Sequence, residues 1–120
     1  MLDVSFYKDK KVLITGHTGF KGSWMCQLLI MAGAKVTGYA LEAPTDPSLF
    51  EMCHLADHMQ SVIGDVRDLD HMKKVFDEVQ PEIVIHMAAQ PIVRESYKNP
   101  VYTYETNVMG TVNVLECVRL

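Results

Sequence analysis

VLITGHTGFKGSW, residues 12–24, runs from an apolar, β-branched stretch into three glycines, Gly16, Gly19 and Gly22. Glycines clustered between a strand and a helix usually let a phosphate approach the backbone, so the spacing has to say which phosphate. A P-loop, G-x-x-x-x-G-K-[ST], places its lysine after the last glycine so that the ammonium caps the β- and γ-phosphates. Here Lys21 precedes Gly22, and that geometry is lost. Gly16-x-x-Gly19-x-x-Gly22 fits instead a variant of the dinucleotide fingerprint. Gly16 permits the tight turn, Gly19 lets the backbone reach a pyrophosphate, and Gly22 lets the helix lie close to the strand. The helix N-terminus adds free N–H groups and a partial positive charge. A turn of three glycines with no ligand is the competing reading, and the position between strand and helix favours the cofactor.

The rest of the chain supports the same architecture. KKVLITG is a first strand, and KGSWMCQLLIMAG has helical length with Gly33 as its stop. AKVTGYAL is a second strand. EAPTDPSLFEMCHLADHM carries Pro44 and Pro47 and reads as a loop with one short helix, in place of a full crossover helix. QSVIGDVRD holds a third strand. LDHMKKVFDEVQ is amphipathic, with Leu69, Met72, Val75, Phe76 and Val79 on one face, and Pro81 ends it. EIVIHMAA is a fourth strand, followed by a turn at Pro91, a tyrosine-rich segment, and a helical pattern from Val101 to Leu120. Apolar strands alternating with helices predict an α/β fold: a Rossmann-like doubly wound parallel sheet, of which the chain holds an N-terminal portion with about four strands and flanking helices.

Composition narrows the functional classes. A net charge of −4 offers no basic footprint for nucleic acid or an anionic membrane surface, and no apolar run approaches the length of a membrane span. Cys26, Cys53 and Cys117 share no metal-ligand spacing and suit a reducing, cytoplasmic setting, so no metal is expected. The 120 residues fit one domain, a cofactor-binding unit over 1–120. NVLECVRL closes the chain without a helix-stop glycine, and the expectation is the first part of a longer enzyme.

Beyond the glycines, TGHTGFKGS, DVRD, HMAAQP and YETNVMGTVNVLECVR together resemble the extended short-chain dehydrogenase/reductase family. Within it, GHTGFKGSW, PTDPSLFE and AAQPIVRESYKNPVYTYETNVMGT resemble the 4,6-dehydratases that act on CDP-glucose. The resemblance spans nearly the whole chain. It implies an NAD-dependent hydro-lyase in cytoplasmic O-antigen and lipopolysaccharide biosynthesis, converting CDP-glucose to CDP-4-keto-6-deoxyglucose and water, and a homo-oligomer at full length. These 120 residues alone are expected to be inactive.

Carried over residue by residue, the resemblance gives Thr18, Phe20 and Lys21 to the pyrophosphate turn, and Asp65 and Val66 to the adenine ring. An ionised carboxylate only accepts hydrogen bonds and the exocyclic amine donates them, so Asp65 suits that role, with a turn aspartate as the alternative. Ala88, Ala89 and Gln90 would line the nicotinamide-ribose side, unless the alanines simply pack. Thr106 and Asn107 lie where the family uses an asparagine to hold a helix kink near the catalytic centre. Arg94 and Ser96 are candidates for the sugar nucleotide, Arg94 by pairing with phosphate or else by an exposed salt bridge.

Two expected features are missing. No acid closes the second strand, which ends Tyr39-Ala40-Leu41 with Glu42 after it. Residues 36–66 also contain no Lys or Arg to neutralise a 2′-phosphate, and this favours NAD over NADP. The family's Tyr-x-x-x-Lys pair, in which the lysine depresses the tyrosine pKa, occurs only as Tyr7 and Lys11, ahead of the first strand. That match reads as coincidence, and the catalytic residues stay unassigned. His17 and His86 read as a turn-shaping and a packed histidine. A different sugar-nucleotide epimerase or reductase, or a non-catalytic dinucleotide-binding module, remains open.

Overall fold

The computed structural model describes residues 3–120. Four strands, β1 (Lys11–Thr15), β2 (Lys35–Ala40), β3 (Gln60–Ile63) and β4 (Ile83–His86), form one sheet in the order β3-β2-β1-β4. All three pairings are parallel, with Thr15 opposite Tyr39 on one side and His86 on the other. The chain steps outward from β1 through β2 to β3, then returns to the far side of β1. A parallel sheet opens a crevice at the carboxyl ends of its strands where the order reverses, here between β1 and β4.

Because successive side chains point to opposite faces, β1 feeds two cores. Val12 and Ile14 join Cys26, Leu29, Val36 and Leu55 on one face. Leu13 joins Tyr39, Val66, Met72, Val75, Phe76, Val114 and Cys117 on the other. The first face is covered by α1 (Phe20–Met31), and the second by α3 (Leu69–Val79) and α6 (Gly110–Arg119). The stripe predicted for residues 69–79 is the buried one: Met72, Val75 and Phe76 are buried, and Leu69 and Val79 pack against them. This helix stops where Gln80 turns left-handed, at φ 51°, ahead of Pro81. Gly33 likewise closes the end of α1 with φ 85°.

Three segments add to the sequence reading. The proline-rich stretch holds α2 (Leu49–Met52), capped by Ser48 Oγ, and also a 3-10 turn at Leu55–Asp57 whose Leu55 is fully buried. The tyrosine-rich segment after Pro91 is helical. It forms α4 (Val93–Lys98), then α5 (Pro100–Tyr104) with proline at its first turn, where a missing N–H costs nothing. Between α5 and α6 a π turn, Glu105–Met109, interrupts the last helix.

Candidate functional site

The glycine turn follows β1 at the switch point, and its three glycines do different jobs. Gly16 has φ 81°, and a Cβ there would stand 2.8 Å from the Ala88 amide nitrogen. A Cβ on Gly22 would stand 2.0 Å from the Gly16 carbonyl oxygen. Both absences therefore serve the fold. Gly19 has an ordinary φ of −78°, and a Cβ on it would meet only the Gly16 oxygen, at 3.5 Å. Its missing side chain relieves no clash and leaves open the space in front of the helix.

The helix end beside it is unsatisfied. No side chain caps α1 at Gly19 and no acid occupies its first turn. By contrast α3 is capped by Asp68, which accepts from the His71 N–H, and carries Asp70 in its first turn. The first N–H groups of a helix have no intrahelical acceptor and need one from elsewhere. An anion with several oxygens fits that end, and a dinucleotide pyrophosphate is such a group.

The turn is held from behind by His17. Its ring is fully buried in the space that Gly38 leaves: a Cβ on Gly38 would lie 2.2 Å from the imidazole Cγ. His17 Nε2 is 2.7 Å from Ser61 Oγ, and Phe50 meets the ring edge-on at 5.2 Å. Burial pushes the imidazole pKa down to about 4, so the ring is neutral near pH 7. Ser23 Oγ donates to the His17 carbonyl at 2.9 Å, and Thr18 Oγ1 donates to the Leu41 carbonyl at 2.8 Å. The Thr18 hydroxyl thus ties the turn to the end of β2. Phe20 and Lys21 lie exposed at the mouth.

Past β3, Asp65 and Val66 form a second wall. The Asp65 carboxylate accepts from the Arg67 N–H at 2.9 Å and from Arg67 Nη2 at 2.7 Å. That hydrogen-bonded guanidinium holds the Asp65 carboxyl below the usual carboxylate range. Tyr39 donates from its hydroxyl to the Asp65 carbonyl at 2.8 Å. Val66 is buried, its side chain seated on Gly110, where a Cβ would come within 2.6 Å of Cγ2. Asn113 Nδ2 donates to the Val66 carbonyl at 2.9 Å.

At the end of β4 a polar chain runs between strand and helix. Thr15 Oγ1, fully buried, accepts from the Met87 N–H at 3.0 Å and the Ala88 N–H at 3.1 Å. With both lone pairs used, its own proton goes to His86 Nδ1 at 2.6 Å. This assigns the His86 proton to Nε2, which donates to Thr111 Oγ1 at 3.2 Å, and Thr111 donates to the Asn107 carbonyl at 2.7 Å. Asn107 sits in the π turn and clamps Gln90 twice, accepting from its N–H at 2.7 Å and donating to its carbonyl at 3.2 Å. Asn107, where the resemblance implies a helix kink, thus lies in a π turn. Thr106 is buried with an unpartnered hydroxyl, Ala88 is half-buried, and Ala89 is exposed.

Arg94 and Ser96 stand on α4, away from the glycine turn in sequence and element. Ser96 Oγ donates to the Val93 carbonyl, and among the described residues no carboxylate pairs with Arg94. Tyr7 lies in a 3-10 turn, Ser5–Tyr7, and Lys11 opens β1, so both lie toward the end of the sheet opposite the glycine turn. Gly38, Thr15, Arg67 and Thr111 were not singled out by the sequence. Only Gly38 carried a usable signal, since a glycine inside a strand marks close approach by another group.

A family model described as GDP-mannose 4,6 dehydratase matches residues 13–120. A CDP-glucose 4,6-dehydratase from Salmonella typhimurium is 57% identical over 119 residues, covering 99% of this chain and 33% of that protein. Among solved structures, an epimerase from Methanothermobacter thermautotrophicus superposes with a TM-score of 0.82 at 32% identity, over 95% of this chain and 33% of its own. A UDP-glucose-4-epimerase from Stenotrophomonas maltophila, with bound NAD and formylated UDP-arabinopyranose, gives a TM-score of 0.81 at 26% identity, over 92% and 33%. The chain spans about a third of the length of these relatives.

Proposed function

This chain belongs to the GDP-mannose 4,6-dehydratase family, within the extended short-chain dehydrogenases/reductases, and from that premise we propose that it is the NAD-binding portion of a CDP-glucose 4,6-dehydratase. The observation that carries the reading is the uncapped N-terminus of α1 beside Gly19, at the β1/β4 switch point. The choice of sugar nucleotide rests on the 57% identity to the Salmonella typhimurium dehydratase. NAD is favoured over NADP because residues 36–66 hold no Lys or Arg.

In this reading the N–H groups at the start of α1 receive the pyrophosphate, with Phe20 and Lys21 at the mouth. Gly16, Gly22 and Thr18 shape the turn. Asp65 and Val66 take the adenine, while Ala88, Ala89, Gln90, Thr106 and Asn107 border the nicotinamide end. Bound NAD supplies the hydride acceptor and donor for a reaction in which CDP-glucose loses water across C5 and C6 and becomes CDP-4-keto-6-deoxyglucose. Asn107 contributes by fixing the backbone of Gln90, and Arg94 and Ser96 are assigned to the sugar-nucleotide side. Residues 1–120 act as one cofactor-binding domain of a longer cytoplasmic enzyme, and that enzyme self-associates.

The test is product formation from CDP-glucose with added NAD by the full-length protein, with GDP-mannose and UDP-glucose alongside. The 4-keto product from CDP-glucose alone is expected. Turnover of UDP-glucose without turnover of CDP-glucose would make the protein an epimerase-type enzyme, and failure to bind NAD would remove the reading altogether.

A further inference from the structure

We propose that Arg67 is a positioning residue for recognition of the cofactor base: it orients the Asp65 carboxylate so that one acceptor direction is left for an exocyclic amine. The proposal rests on the dinucleotide reading above and adds to it a residue to which the resemblance gives no role. An ionised carboxylate has about four acceptor directions. Asp65 Oδ1 accepts the Arg67 N–H at 2.9 Å and Nε at 3.1 Å. Oδ2 accepts Nη2 at 2.7 Å and shares Nε at 3.1 Å. These are three protons, with the Nε proton shared equally between the two oxygens, so one of the four directions is left over, and the Asp65 side chain is still 25% exposed to a donor from outside. An amine can donate into it. A ring carbonyl at the same position would set oxygen against oxygen.

The fork works because everything around it is fixed. Glu105 Oε2 accepts from Arg67 Nη1 at 3.2 Å, at the first residue of the π turn. The Tyr102 ring lies against the guanidinium, 4.9 Å from centroid to Cζ. The backbone of residues 65 and 66 is pinned by Tyr39 and Asn113. The carboxylate rotation about its own bonds is then the main freedom left, and Arg67 removes it. A lysine keeps the charge but has no planar fork to impose that orientation.

The experiment measures affinity of the full-length protein for NAD and for its hypoxanthine analogue, by calorimetry, in wild type, Arg67→Met, Arg67→Lys and Glu105→Gln. Wild type is expected to prefer NAD by about tenfold, the scale of one hydrogen bond to a charged group. Arg67→Met should lose about tenfold for NAD and less than about twofold for the analogue, and Arg67→Lys should lose most of the preference as well. Glu105→Gln should fall between. Each variant is checked by its unfolding midpoint, since a structural role alone would weaken both ligands equally. An Arg67→Met protein that keeps the full preference, or loses both affinities in parallel, overturns the proposal. A wild type that binds both ligands equally overturns it together with the role of Asp65, while the pyrophosphate reading stands. A wild type that binds neither removes the dinucleotide reading as well.

Discussion

Gly38→Ala is a one-methyl change in the middle of β2, and the structure makes it costly for a single reason. The new Cβ would lie 2.2 Å from His17 Cγ and 2.5 Å from Cδ2 and Nδ1. Carbon atoms in contact sit about 3.5–4.0 Å apart, so the ring would have to retreat by more than about 1 Å. The strand cannot yield, because β2 is paired on both sides. The ring cannot yield cheaply, because it is fully buried between Ser61 and Phe50. Overpacking of this kind costs about 1–3 kcal/mol, and losing the Ser61 hydrogen bond adds about 1 kcal/mol. Gly38→Ala should therefore destabilise by about 3 kcal/mol. In a His17→Ala background the clash is gone, and the same substitution should be neutral or stabilise by up to about 1 kcal/mol through the strand backbone. Urea unfolding of wild type, both single variants and the double variant gives the coupling energy. Distant, independent sites add to within about 0.5 kcal/mol. Additivity at that level would refute the claim that Gly38 exists to admit the histidine that holds the glycine turn.

Two further outcomes follow from the same geometry. The folded pKa of His17, about 4, lies below the ordinary value of 6.5, so the contribution of this residue to stability is constant above about pH 6.5. Between that pH and 4 the unfolded chain takes up a proton that the folded chain refuses, and stability falls; subtracting the pH profile of His17→Asn should isolate a loss of about 3 kcal/mol at most, and a flat difference would contradict the burial argument. Thr15→Val keeps the shape but strands the Ala88 N–H and His86 Nδ1, for a cost of about 2–4 kcal/mol by chemical denaturation, whereas Thr15→Ser should recover most of it; equal losses for valine and serine would mean that packing, rather than the hydroxyl, matters at this position.

Period and punctuation made the sheet and its covering helices legible in the sequence. The stripe over residues 69–79 names its buried face because an amphipathic helix repeats its core contacts every three or four residues. Gly16 and Gly33, both at positive φ, announce turns that only glycine enters easily. The π turn at Glu105–Met109 had no such signature, because it is set by tertiary hydrogen bonds: Asn107 reaches across to Gln90, and Thr111 takes the freed Asn107 carbonyl. Thr15 and His86 belong to the same case, since residues 71 apart in the chain meet only once β4 has crossed to the far side of β1. The helix after Pro91 escaped notice because α4, Val93–Lys98, buries no residue and so leaves no apolar stripe. Of the expected site residues, Gly16, Gly19 and Gly22 stand between β1 and α1, and Asp65 and Val66 follow β3. The tie from the Thr18 hydroxyl to the Leu41 carbonyl left no mark in the sequence, because it depends on the closeness of the β2 end.

The central claim is that Gly19, unlike Gly16 and Gly22, lacks a side chain for the sake of a ligand. Titration of NAD into folded Gly19→Val by calorimetry tests it, with Gly22→Ala as the control for the fold. The Gly19 variant should unfold within about 0.5 kcal/mol of wild type, since its Cβ meets nothing closer than the Gly16 oxygen at 3.5 Å, and it should fail to bind NAD. Gly22→Ala, whose Cβ would lie 2.0 Å from that oxygen, should lose stability itself. Unchanged NAD affinity in a stable Gly19→Val protein would contradict the account.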